Sequence, residues 1–76
     1  MTQDDLDRAA RLYEEAAAEL ERAVGHCRVA AERFRNGEVP GGTAHAWAAH
    51  GHLEAARERL DEQARQHTGK AQLAGD

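Results

Sequence analysis

The chain has one cysteine, one proline, and a single residue each of Trp, Tyr and Phe. One cysteine excludes a disulfide within the chain, and a lone thiol suits a reducing compartment. Large apolar residues are scarce: six Leu, three Val and one Met join the three aromatics, so the 41% hydrophobic fraction is mostly Ala. No apolar run approaches the roughly 20 residues of a membrane span, so a membrane is not an expected partner. A basic excess is also missing. Net charge is −4, with both signs interspersed, which argues against nucleic acid, because phosphate neutralisation needs a basic face. The opening Thr2-Gln3-Asp4-Asp5 is acidic, unlike a signal peptide. The expected location is cytoplasmic.

Seventy-six residues make one small domain. Below about 70–80 residues a core rarely supplies more than about 3–5 kcal/mol without disulfides, metal or oligomerisation. With disulfides excluded, metal and self-association remain.

Residues 3–36 read as one helix. Thr2 is an N-cap, and Asp4, Asp5 and Asp7 suit the positive end of the helix dipole. Leu6, Tyr13, Leu20, Cys27 and Phe34 recur every seventh residue, with Ala10, Ala17, Val24 and Ala31 between them. These are the d and a lines of a heptad seam. A third line, Ala9, Ala16, Ala23 and Ala30, runs beside it. The apolar stripe is therefore wider than a two-stranded seam needs and suits a bundle. Gly25, inside this helix, costs about 1 kcal/mol relative to Ala; close approach of a neighbour is its expected reason.

Asn36 to Gly42 is the only strong break. Gly37 can take the left-handed conformation past a helix end, and Pro40 can start the next helix. The predicted loop is 37–41, short enough to make the helices antiparallel neighbours. The second helix is expected over 42–67, with Ala46, Ala49, Leu53, Ala56, Leu60, Gln63 and His67 as its seam. Gly69 is the expected stop and 68–76 a frayed tail.

The stretch Gly41 to Leu53 holds the only Trp, three of the five His and no formal charge. Ala44, Ala48, Gly51 and Ala55 form a small-residue face opposite the predicted seam, with Trp47 at its edge. A single hairpin cannot cover both faces. The expected fold is all-α, a long two-helix antiparallel hairpin dimerising into a four-helix bundle, with Trp47, Ala44, Ala48, Gly51 and Ala55 at the contact. The partner is then a second copy, with another protein as the other option.

The chemistry-bearing residues are weaker pointers. No two His lie three or four apart, the spacing for chelation on one helix. His45 and His52 share a face but sit roughly 10 Å apart along the axis. Folding the hairpin about residues 39–40 sets Cys27 level with His52 and His26 near Leu53. In a two-fold dimer, Cys27 and His52 from each chain would make a Cys2His2 set that zinc accepts; His26 and His50 are further donors. Equally, Cys27 at a heptad position behaves as a small hydrophobe. Three His in one buried segment would make the contact pH-sensitive. Catalysis finds little support: His26 and Cys27 are adjacent and project apart on a helix, and Cys27 with His52 lacks an oxyanion donor. Glu14-Glu15 and Asp61-Glu62 read as solvated faces. The Glu-x-x-His pattern of ferritin-like sites is missing.

The segment Ala31-Glu32-Arg33-Phe34-Arg35-Asn36-Gly37-Glu38, followed by Ala44, Ala46, Ala49 and His50-Gly51-His52-Leu53-Glu54-Ala55-Ala56, resembles small archaeal helical-hairpin proteins of unknown function. More loosely, it resembles the central hairpin of HEPN-type four-helix proteins. The resemblance covers residues 31–60 and implies the same helix–turn–helix fold. HEPN ribonucleases use an Arg-x4–6-His motif. Here Arg22 and His26 have three residues between them and lie on the wrong helix, so no catalytic residue carries over. Secreted hairpins with a Trp-x-Gly turn do not match, because Trp47 falls inside the second helix. The expected function is a non-enzymatic, self-associating interaction or accessory module; a small metal- or cofactor-binding protein using Cys27 and His52 is the alternative.

Overall fold

A computed structural model describes the backbone of residues 1–75 and the side chains of residues 1–66. Two helices, α1 (Gln3–Arg35) and α2 (Val39–Gly75), pack against each other as a hairpin. The molecule measures 57 × 22 × 12 Å. The smallest dimension is about one helix diameter, so the hairpin is a single layer and buries only one stripe of each helix. Among the described residues, no helix is long and apolar enough to cross a membrane.

Local chemistry sets the ends of α1. Thr2 accepts a hydrogen bond from the Asp5 backbone N–H, and the Asp5 carboxylate accepts one from the Thr2 N–H, a reciprocal capping box. Asp4 and Asp5 stand in the first turn, Arg33 and Arg35 in the last, each matching the dipole. Gly37 takes a φ of 75°. Its N–H donates to the Phe34 carbonyl, and the Glu38 N–H donates to the Arg33 carbonyl. These two bonds form a Schellman motif. Arg33 and Glu38 close the same turn with an ion pair at 2.7 Å.

Helix α2 begins at Val39, three residues before the expected start at 42. Pro40 falls in the first turn, where a missing N–H breaks no helical bond. The helix also runs past the expected end at 67, through Gly69 to Gly75. Among the described residues only Gly37 adopts positive φ. An interior glycine weakens a helix without ending it unless it adopts that cap geometry.

The seam corrects the sequence reading. On α1 the residues facing α2 are Ala9, Ala16, Ala23 and Ala30 with Asp5, Leu12, Glu19 and His26, all buried or half-buried. The Leu6/Tyr13/Leu20/Cys27/Phe34 line and Val24 beside it, expected as the seam, are exposed. On α2, Ala49, Ala56 and Gln63 are buried as expected. Their companions are His45, His52, Arg59 and Gln66, all half-buried, while Leu53 and Leu60 are exposed. His67 lies outside the described side chains. The reason is steric. A line of Ala lets two helix axes approach closely, so most larger side chains flank the contact, with Leu12 and Gln63 the large ones that stay buried in it. Gly25, expected beneath a neighbour, has nothing within 4 Å of where a Cβ would stand.

Candidate functional site

Because the seam is narrow and the layer thin, the hairpin presents two broad faces of opposite character. On one, Leu20, Val24 and Cys27 of α1 and Ala46, His50 and Leu53 of α2 line a mostly apolar groove, with Ala23, Ala30 and Ala49 from the seam and Arg28 as its one charged residue. The seven-residue spacing carries the same face along the molecule, through Leu6, Tyr13 and Phe34 on α1 and Val39 and Leu60 on α2, all exposed. Near the turn, the Phe34 ring lies over Gly42, with carbons 2.8 Å from where a Cβ would be. Gly42 thus admits an aromatic ring that any larger residue would displace.

The other face is polar and cross-linked. Arg8 meets Glu62 at 2.6 Å, Arg59 meets Glu15 at 3.4 Å, and His52 Nδ1 lies 2.6 Å from Glu19 Oε2. Arg22 reaches the other oxygen of Glu19 at 3.0 Å. The exposed pairs contribute about 0–1 kcal/mol each. Their effect is to favour this register of the two helices.

Three histidines gather at the centre of this edge. His26 of α1 inserts between His45 and His52 of α2. Its ring stacks on His52 at 5.3 Å between centroids, with 9° between planes, and lies 5.2 Å from His45. The Nδ1 atoms of His26 and His45 are 3.0 Å apart, so one donates an N–H and the other accepts it. The His52 hydrogen bond, helped by the charge of Arg22, holds the Glu19 carboxyl below the usual carboxylate range, against the opposing effect of burial. His45 and His52 are a full two turns apart and cannot meet directly, so the third ring from the facing helix is what joins them.

The structure therefore places the sequence-selected residues on different surfaces. Cys27 is exposed and lines the apolar groove. His52 points to the polar edge, engaged with Glu19 and His26 rather than with Cys27. His26 stacks on His52, the residue next to Leu53. Among the described residues, no group of three or more His, Cys, Asp or Glu is arranged to hold a metal ion. Trp47 is 71% exposed and leans on His50, ring centroids 5.9 Å apart. Ala44 and Gly51 are exposed, Ala48 and Ala55 half-buried, and none of these five residues lines the groove.

The roles of Glu19, His26 and Leu12 were missed by the sequence reading. Their signal was present but faint. Asp5, Leu12, Glu19 and His26 recur every seventh residue, yet only one of the four is apolar, so a search for hydrophobic periodicity passes over them. Comparison with protein families, with curated proteins and with solved structures gives no match to this chain.

Proposed function

We propose that this protein is a non-enzymatic, self-associating helical-hairpin module whose apolar face docks on the same face of a second copy, giving a four-helix bundle. The observation that carries this reading is the exposed line of Leu20, Val24 and Leu53 around one groove. A hairpin that leaves its largest apolar side chains outside its own seam has a surface that water does not favour. The face extends over a layer 57 by 22 Å, ample for the roughly 800 Å² per partner of a standard interface. Its residues repeat every seven positions on both helices, and a facing helix must carry that same repeat to interlock. A second copy of this chain does.

Size-exclusion chromatography with light scattering at micromolar concentration tests the reading. The wild type is expected to show a multiple of the 8.3 kDa chain mass. Val24→Glu with Leu53→Glu is expected to reduce it to one chain, with helical circular dichroism retained because neither residue belongs to the seam. A wild type with the mass of one chain overturns the proposal. Trp47, at 71% exposure, supports a second reading in which the contact centres on Ala44, Trp47 and Gly51. In that case Trp47→Glu dissociates the assembly and the Val24/Leu53 variant does not.

A further inference from the structure

We propose that the His26–His45 contact, with His52 stacked on it, is a proton-operated clasp on the hairpin seam. The Nδ1···Nδ1 separation of 3.0 Å requires one N–H and one lone pair. The pair therefore shares a single proton at that contact. A second proton would set two N–H donors and two like charges against each other at the same distance. The contact must then break: parting the two helices that carry the rings breaks it, and turning a half-buried ring out of the seam is the alternative that leaves the helices packed.

The surroundings do not neutralise that second charge. From α1 the cluster is faced by Glu19, with Arg22 on its other oxygen; from α2 it is faced by His52, with Arg59 adding a further cation near Glu19. Glu19 is the one carboxylate hydrogen-bonded to the cluster among the described residues, and His52 and Arg22 already share it. His52 is stacked on His26 at 5.3 Å, so a proton on His52 adds positive charge beside the pair rather than relieving it. The neighbouring seam layers, Ala23, Ala30 and Ala49, bury little apolar surface to resist separation. The same alanines line the groove on the opposite face, so opening the clasp also deforms that groove. The clasp does not depend on what docks there.

Histidine is the side chain whose charge changes between about pH 5 and 8. Acid has opposite effects on the two halves of the cluster: His52 gains attraction to Glu19 on protonation, while the His26–His45 pair loses its hydrogen bond. A residue-resolved measurement separates them. NMR titration of the imidazole C–H signals of the full chain from pH 8 to 5, with helix content followed in parallel, is the test. His26 and His45 are expected to take up one proton between them while the hairpin stays helical, the second entering only as the seam opens. Below the ordinary histidine range, the unfolding constant then rises about tenfold per pH unit from this pair. His45→Gln keeps a neutral polar group and is expected to flatten that slope, while His50→Gln, beside Trp47 and away from the cluster, leaves it unchanged. Full protonation of both His26 and His45 with helix content intact overturns the clasp. So does a His45→Gln slope as steep as the wild type's.

Discussion

Leu12 and Leu20 stand eight residues apart on the same helix and face different surroundings: Leu12 is 9% exposed inside the hairpin seam, Leu20 is 40% exposed beside the groove. Two similar side chains therefore test two different things, the packing of the hairpin seam and the proposed self-association. Leu12→Ala removes the largest apolar side chain of the seam on α1 and is expected to cost about 2–3 kcal/mol. Leu20→Ala is expected to leave the stability of a dissociated hairpin nearly unchanged and to weaken self-association. Urea denaturation at two protein concentrations distinguishes them. The loss from Leu12→Ala appears at both, and the loss from Leu20→Ala only where the chains associate.

Gly25 lies in the middle of α1 with open space where its Cβ would be. Gly25→Ala gains helix propensity without a clash and is expected to stabilise by about 0.5–1 kcal/mol. For a domain of this size that is a rise of about 2–8 °C in melting temperature. A fall instead would mean that something packs closely on this position in solution.

Gln63 is 1% exposed, and its Oε1 has no hydrogen-bond donor among the described residues. A buried acceptor left unpaired costs about 1–3 kcal/mol. Gln63→Leu, of similar volume, is expected to raise the denaturation midpoint. Buried polar residues at seam positions can also fix register. A Gln63→Leu chain that is more stable but gives several sets of NMR signals would assign that role to Gln63.

Glu19 has its carboxyl held below the ordinary range by the His52 hydrogen bond, then by Arg22, against the effect of burial. A carboxyl lowered in the folded state contributes stability above its unfolded pKa and loses it as pH falls through its folded value. Glu19→Gln should therefore melt below the wild type at neutral pH. The gap should close as acid takes both through and below the carboxylate range. Thermal melts of the two chains at pH 7 and pH 3 check this; a constant gap would mean that the carboxylate charge is not what stabilises the seam here.

How much of this was legible in the sequence differs from residue to residue. Thr2 with the acidic first turn, and Gly37 in the Asn36–Gly42 break, marked the ends of α1 because caps and turns are decided by groups within about four residues. The antiparallel pairing followed from the short turn. The end of α2 was misplaced because Gly69 carries only a weak local preference. The choice of face was the larger failure. Ala9, Leu6 and Ala10 begin three neighbouring lines on α1, each repeating every seven residues, and the period alone does not rank them. The expected rule, that large apolar residues fill the nearest seam, gave way to close contact between small ones.

The sequence by itself determined two long helices, their hinge and a wide apolar stripe with a seven-residue repeat, since these rest on backbone preferences and spacing along one chain. Only the tertiary structure decided that the Ala lines meet inside the hairpin while Leu20, Val24 and Leu53 line an open groove. It also brought His26 between His45 and His52. Both outcomes depend on how closely two helix axes approach and at what register, quantities set by packing between segments distant in sequence and written in no local stretch of the chain.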